Sequence, residues 1–401
     1  MEFKDFKKIH IIGNKGIGIS ALAKVLAAKG IEISGSDIET GGHSAANVPS
    51  DADLVIYSNA IPADNIERKK ARELGIKEMS YPEALAEFIK GKKVIAVAGT
   101  NGKTTTTAMI GWIMEAAGLD PTVIVGSRVL AWDSNARVGN SEWVVIEADE
   151  YKRAFLNYHP DIAVITNIAK DHLDYYKDLA DIQSAFSEFE KNLKPGGVLV
   201  KYSPADAQGM KLLIPGKFNF ENAAAAASVA NYLKINPGVA KQALETFTGT
   251  WRRFERAGKF GNTEIISDYA HHPDAIRVTL QAACEAYLGK KILAVFQPHQ
   301  HNRTKKLFPE FVSSFCESPV NDFIISEIFE VSGREAAADQ DISSKDLVEK
   351  LTACGKNAIY AGNLDDCGQK VKRVINNYDV IIFMGAGDIY KIPEKLVANN
   401  K

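Results

Sequence analysis

The stretch that most constrains this chain is AVAGTNGKTTTT, Ala96–Thr107. Ahead of the turn, Val94–Ala98 is a short, wholly apolar run of strand type. Beyond it, Met109, Ile110, Ile113, Met114 and Ala117 recur at helical spacing until Gly118 ends the pattern. A glycine turn joining a strand's carboxyl end to a helix start commits this region to an α/β unit. It is also an anion site, because the first helical N–H groups lack intrahelical partners and the helix dipole favours negative charge. Lys103 suits β- and γ-phosphates, and the Thr104 hydroxyl suits Mg²⁺. The usual phosphate-loop pattern wants a glycine five residues before Gly102, where Val97 stands; the available glycine is Gly99. A glycine turn with a solvated lysine is the competing reading, and the strand–loop–helix setting weighs against it.

Short β-branched runs alternate with helical patterns along the 401 residues, a length for two or three domains. The expected class is α/β with mainly parallel sheets, divided into residues 1–91, 92–249 and 250–401. The first segment opens KIHIIGNKGIGIS and carries a helix over Ile19–Ala28. The second holds the phosphate loop, strands at EWVVIEADE and DIAVITN, and an alanine-rich helix over Asn222–Leu233. The third has strands at EIISDYA, KILAVFQ, DFIISEI, NAIYAG and DVIIFMGAG. A net charge of −2 offers no footprint for nucleic acid or an anionic membrane. No apolar run approaches the roughly eighteen residues of a membrane span, and charges interrupt MEFKDFKKIHIIG where a signal peptide needs an apolar core. Cys284, Cys316, Cys354 and Cys367 show no metal spacing, so reduced thiols in a cytoplasmic protein, monomeric or homodimeric, are expected.

Several further groups have chemistry to offer. VVIEADEYKRAFL sets Glu147, Asp149 and Glu150 at a strand end, and ITNIAKDHLDYY sets Asp171, His172 and Asp174 beyond the next. Hard cations need such oxygens near the Thr104 hydroxyl, although an acidic strand end alone is also an ordinary solvated turn. Gly13, Gly16 and Gly18 form a glycine turn followed by Ser20, with Asp37 ending the next strand. The order differs from a dinucleotide fingerprint, and NAD, another nucleotide or a plain turn all fit it. Arg252 and Arg253, read alone, are a solvated pair. DYAHHP, with His271, His272 and Pro273, reads as a helix-initiating turn.

Taken together, AGTNGKTT, EADEYKRAFL, NIAKDHLDYY, IPGKFNFENAAAA, WRRFE, DYAHHPDAI and FQPHQHNRT, in this order along nearly the whole chain, resemble the Mur ligase family. These ATP-dependent enzymes join an amine to a carboxylate. The resemblance implies an intact variant of the phosphate loop, with Gly99, Thr100, Asn101, Gly102, Lys103, Thr104 and Thr105 around ATP. It implies a Rossmann-like first domain for a UDP-sugar, a P-loop ATPase-like central domain, and a Rossmann-like last domain for the incoming amino acid. Glu147 and Thr104 match ligands of one Mg²⁺, and His172 matches a ligand of a second. Asn219 and Asn222 match an adenine-binding pair, Arg253 an arginine near the phosphates, and Asp268 a ribose- or phosphate-side acid. The glycine turn with Ser20, Asp37, Ser58 and Asn59 matches the UDP-sugar site, while His271, His272 and Arg303 match the amino-acid pocket. SAFSEF lacks the lysine that several sister ligases carry there, which favours the branch adding L-alanine to UDP-N-acetylmuramate. A recycling branch that attaches a whole tripeptide, a non-catalytic nucleotide-binding relative and an NAD-dependent dehydrogenase are the alternatives. FQPHQHNRT favours the alanine branch, and the phosphate loop has no role in a dehydrogenase.

Overall fold

Strand β5 (Lys93–Ala98) is buried at every position after its first residue, as a strand covered on both faces of a parallel sheet must be. It is the central strand of the second of three sheets in the computed structural model, which describes residues 3–172, 175–330 and 341–398. The first sheet comprises β1 (Lys8–Ile12), β2 (Glu32–Ser36), β3 (Leu54–Tyr57) and β4 (Lys77–Ser80), all parallel, in the order β2-β1-β3-β4. Its helices are α1 (Ile17–Ala28), α2 (Ile66–Glu73) and α3 (Tyr81–Phe88). The chain leaves β1 for β2 on one side and returns to β3 on the other, which opens a crevice at the carboxyl ends of β1 and β3.

The second sheet adds β6 (Thr122–Val129), β7 (Ser134–Arg137), β8 (Trp143–Glu147), β9 (Ile162–Ile165) and β10 (Val198–Val200) to β5. Its order is β10-β9-β5-β8-β6-β7, with only β7 antiparallel. The associated helices are α4 (Lys103–Ala116), α5 (Leu179–Lys191), α6 (Lys217–Tyr232) and α7 (Pro237–Thr246). Because β5 lies between β8 and β9, the loops after all three strands open at one edge. That puts the phosphate loop, Glu147–Glu150 and Thr166–His172 side by side.

The third sheet runs β11-β12-β16-β13-β14-β15, from β11 (Glu255–Phe260), β12 (Thr263–Asp268), β13 (Ile292–Phe296), β14 (Asp322–Ile325), β15 (Asn357–Tyr360) and β16 (Val380–Met384). Only the edge strand β11 is antiparallel. Its helices are α8 (Pro273–Ala286), α9 (His301–Lys306), α10 (Phe308–Cys316), α11 (Ser344–Ala353), α12 (Leu364–Val374) and α13 (Lys391–Ala398). The chain divides into two compact units, one holding the first two sheets and the other Ile214–Asn219 with the chain from Trp251 onward. No helix among the described residues is long and apolar enough to cross a membrane.

Several sequence expectations need correction. Helix α1 starts two residues before Ile19, and the alanine-rich helix starts at Lys217 rather than Asn222. Strands β4, β6, β7, β10 and β11 were not foreseen; β4 and β7 read KEMS and SNAR, too polar to announce a strand. Arg252 is not solvated but 4% exposed, with its guanidinium donating to the Gly385 carbonyl. The expected four free thiols are also wrong. Cys316 ends α10 and Cys354 caps α11; packing of these helices brings their Cα atoms to 6.0 Å, and the two sulfurs are bonded. Asp174 lies outside the described residues.

A buried polar network organises the first sheet. The Glu67 side chain of α2 is 0% exposed and lies 3.1 Å from His10 Nε2 of β1. It accepts hydrogen bonds from Ser36 Oγ at 2.6 Å, Asn47 Nδ2 at 2.8 Å and the Ser44 N–H at 3.0 Å. These bonds tie the loop after β2 down onto the sheet. Burial alone would raise the Glu67 pKa, but the hydrogen bonds from His10, Ser36, Asn47 and Ser44 outweigh it and hold the group at about 2.

Candidate active site

The phosphate loop explains its own glycines. Gly99 has φ +135° and Gly102 φ +85°, and a Cβ would run into Thr166 Oγ1 at the first and Asn222 Oδ1 at the second. Glycine is therefore needed at these two positions, while Val97 sits inside the buried strand. The loop is stapled to the segment after β9. The Thr100 N–H donates to Asn167 O at 2.9 Å, the Asn101 N–H to Asn167 Oδ1 at 3.1 Å, and Thr166 Oγ1 to Asn101 O at 2.5 Å. Thr105 is buried on α4, and Asn222 accepts a hydrogen bond from Thr106 of the same helix at 3.2 Å.

Lys103 is held within this frame. Its Nζ donates to Gly99 O at 2.6 Å, Thr100 O at 3.3 Å and Glu150 Oε2 at 2.7 Å. Burial works to lower the Lys103 pKa, but Glu150, then Asp149 and Glu147, more than offset it and keep the ammonium charged. Thr104 Oγ1 donates to Glu147 Oε1 at 2.9 Å, while Glu147 Oε2 accepts the Gly126 N–H of β6 at 2.7 Å. Thr104 and Glu147 are therefore placed as one pair, as expected of two ligands to a single cation.

A second group lies beside them. Asp149, Glu150 and His172 each offer a donor atom, all within 4.8 Å of one another. Glu150 is 2% exposed, and its Oε1 is buried with no hydrogen-bond partner among the described residues. His172 Nε2 lies 3.7 Å from that oxygen. A buried, orphaned carboxylate oxygen is costly, and a cation would satisfy it. Two carboxylates and an imidazole suit Mg²⁺ or Mn²⁺, so the residues present fit a divalent ion. The strand end in EADEY offers Asp149 and Glu150 beside Glu147 as cation oxygens, whereas the family resemblance picks out only Thr104, Glu147 and His172; the geometry groups Asp149 and Glu150 with His172.

In the first sheet's crevice, Gly16, Gly18, Ser58 and Asn59 line a cavity of about 340 Å³ that Glu147 and Asp149 also line. Gly13 has φ +79° and packs its backbone against Ser58. Two expected ligand contacts are engaged within the protein itself. Asp37 accepts the Lys15 N–H at 3.0 Å and the Glu39 N–H at 3.1 Å, so it shapes the glycine turn. Ser20 donates to Ile17 O and accepts from Asn135 Nδ2 at 2.9 Å; it does not line the cavity. Tyr81, missed by the sequence reading, does line it, and burial followed by Glu147 and Asp149 pushes its phenol up, keeping it a neutral donor.

In the other unit, Asp268 at the end of β12 is spent on its own chain, accepting the Phe254 N–H, the Ala270 N–H and the Thr279 hydroxyl. The exposed Arg253 lies over the Tyr269 ring at 5.0 Å, and the buried Asn219 donates to Pro215 O at 2.6 Å. His271 and His299 rings meet at 5.8 Å, His299 stacks on Phe329, and Arg303 lies 3.3 Å from His299 Nδ1. These groups sit at the carboxyl ends of β12 and β13, one polar–aromatic cluster. His272 is the cap residue of α8 with Pro273 next, so the helix-initiating reading of HHP holds for the backbone.

The sequence matches three family descriptions: "Mur ligase family, catalytic domain" over residues 8–93, "Mur ligase middle domain" over 97–208 and "Mur ligase, glutamate ligase domain" over 252–387. A curated UDP-N-acetylmuramate–L-alanine ligase of Caldanaerobacter subterraneus subsp. tengcongensis is 37% identical, in an alignment covering 100% of this chain and 99% of the relative. The chain belongs to the Mur ligase family. That alignment runs over 467 positions against 401 residues here, so this relative carries segments this Mur ligase lacks. Among solved structures, the UDP-N-acetylmuramate–alanine ligase of Thermotoga maritima superposes with a TM-score of 0.82 at 29% identity, covering 98% of both chains. A murein peptide ligase of Psychrobacter arcticus shares the fold, with a TM-score of 0.70 at 23% identity over 98% of both chains.

Proposed function

We propose that this chain is an ATP-dependent ligase that joins the carboxylate of UDP-N-acetylmuramate to the amine of L-alanine, a step in making peptidoglycan precursors. The observation that carries the reading is the Thr104–Glu147 contact beside the part-buried Lys103, in a chain similar over its full length to curated alanine ligases. Residues 1–91 would take the UDP-sugar, 92–249 ATP, and 250–401 the amino acid at His271, His272 and Arg303.

The chemistry follows in two steps. A carboxylate oxygen of the sugar acid attacks the γ-phosphorus of ATP, ADP leaves, and an acyl phosphate forms. The alanine nitrogen then attacks the acyl carbon, phosphate leaves, and the amine gives up a proton. Lys103 spreads the negative charge that builds on the transferred phosphoryl group. Mg²⁺, bound through Thr104, Glu147 and the Asp149–Glu150–His172 group, would neutralise phosphate charge. Arg303 pairs with the α-carboxylate of alanine bidentately, and a neighbouring histidine orients or deprotonates the amine. Substrates of this kind put the reaction in the cytoplasm.

The deciding experiment offers purified protein ATP, Mg²⁺, UDP-N-acetylmuramate and a mixture of amino acids with L-alanyl-γ-D-glutamyl-diaminopimelate. The expected UDP-linked product has gained one alanine by mass. A tripeptide adduct would instead identify the recycling ligase, and no product at all a non-catalytic relative. The Arg303→Ala variant is expected to raise the KM for alanine by about tenfold or more, the loss of a charge-assisted contact. The KM for ATP stays close to wild type.

A further inference from the structure

The bond between Cys316 and Cys354 joins two helices that both start at the polar–aromatic cluster. Helix α10 begins just after α9, which carries Arg303, and ends at Cys316. Helix α11 begins just after Ile342, whose carbonyl accepts from His301 Nδ1 at 3.0 Å, and is capped by Cys354. Between the two helices the chain is fastened along the same stretch. Phe329 donates its N–H to Pro298 O at 2.8 Å, accepts the Gln300 N–H at 2.9 Å and stacks its ring on His299. Glu330 lies 3.3 Å from His301 Nε2, and Asp341 lies 2.8 Å from Lys305 Nζ. One wall of the cluster therefore belongs to the chain that the bond closes, over a separation of 38 residues.

The two sulfurs meet because of packing. Phe311 and Phe315 on α10 and Leu347 and Leu351 on α11 are buried in one core, which holds the helices together whether or not the sulfurs are joined. Two thiols so placed react at the high effective concentration of linked groups. Cys354 is exposed and Cys316 partly so, within reach of small solutes. The other two thiols are poorer nucleophiles, since burial pushes Cys284 up and Cys367 up to about 12. In a compartment kept reducing by small thiols, a solvent-reachable disulfide exchanges with them rather than persisting as a fixed staple.

We propose that Cys316 and Cys354 form a thiol–disulfide switch that sets how firmly the last domain holds its amino-acid cluster. The oxidant is a low-molecular-weight disulfide. The Cys354 thiolate attacks one of its sulfurs and expels a small thiolate, leaving a mixed disulfide. Cys316 then attacks Cys354 Sγ and expels the second. Two protein thiols are oxidised, the small disulfide is reduced to two thiols, and these take up the two protons. Excess small thiol runs the sequence backwards. The joined form restricts local opening of α10 and α11, because a cross-link removes conformations from the opened states. The dithiol form opens more often, so the alanine pocket is intact for a smaller fraction of the time. The effect on alanine rests on the ligase reading above; the bond itself does not.

The test equilibrates the full chain with glutathione, mostly oxidised or mostly reduced, then traps thiols with iodoacetamide under denaturing conditions. Mass is expected to show alkylation of Cys284 and Cys367 alone in the first case and of all four cysteines in the second. Hydrogen exchange at the carboxyl-terminal amides of α10 and α11 is expected to quicken by about 30-fold on reduction. The KM for L-alanine is expected to rise by about threefold or more, with the KM for ATP unchanged. The Cys354→Ser variant should match the reduced wild type in both buffers. Alkylation of all four cysteines after oxidation, or of Cys284 and Cys367 alone after reduction, overturns the switch. So does an exchange rate or an alanine KM that ignores the redox state. No turnover of alanine in either state overturns the ligase reading instead, while thiol count and hydrogen exchange still decide the switch.

Discussion

Replacing Lys103 by Ala is expected to lower kcat by about 10³-fold or more, measured as ADP release under saturating ATP and UDP-N-acetylmuramate. The Lys103 ammonium is part-buried, charged and held beside the loop by two backbone carbonyls and Glu150. In a site that excludes water, a positioned charge acts far more strongly on a developing anion than it would in solution. Its removal also strands the Glu150 carboxylate, so the melting temperature of Lys103→Ala is measured beside its turnover. A variant that stays folded at the assay temperature and still loses turnover places the loss in phosphoryl transfer. Near-normal turnover of the single variant would remove the loop from the mechanism.

The Glu67→Ala variant is expected to destabilise the first sheet by about 3–5 kcal/mol, the usual cost of deleting one member of a buried charged network. Hydrogen exchange at the β1 amides, which reports local opening, checks it as a fall in protection of about 100-fold or more. The wild-type protein makes a matching prediction in pH. The Glu67 pKa falls from 4.5 to about 2 on folding, so its contribution is fully present above pH 4.5 and disappears as pH falls towards 2. By linkage that contribution amounts to about 3 kcal/mol. Protection of β1 should therefore decline over this acid range in the wild type and much less in Glu67→Ala. Equal acid sensitivity of the two proteins would rule the carboxylate out as the cause.

What could be read from the residues was what local pattern dictates. The phosphate loop was legible because its glycines, lysine and threonine are contiguous and flanked by an apolar strand and an amphipathic helix. Glu147 was legible because it ends a β-branched run, and its meeting with Thr104 follows once β5 and β8 are neighbours. The Lys103–Glu150 pair was not, since nothing in EADEY says which carboxylate turns inward. Nor was the Glu67 network, whose members come from β1, β2, α2 and the loop between β2 and β3. The bond between Cys316 and Cys354 depends on how α10 packs on α11, which the 38-residue separation leaves silent. Ser20 and Asp37 carry the right chemistry at expected positions, but their partners prove to be the protein's own backbone and Asn135. Edge strands such as β4 and β7 face too little core to show an apolar alternation.

The ion pair between Lys103 and Glu150 has a consequence for how nucleotide is chosen. Glu150 behaves as a tethered competitor, a carboxylate held next to the lysine at the high effective concentration of a covalently linked group. Any anion reaching the loop must displace it, so apparent affinity measures the surplus over this internal ligand. A single carboxylate or a simple monoanion offers little surplus. A triphosphate accompanied by a divalent cation does, because the same cation that accompanies the incoming phosphates gives the evicted Glu150 a new partner. Discrimination of this kind would work by exchange, with the Lys103 charge paired to Glu150 until a polyanion takes its place.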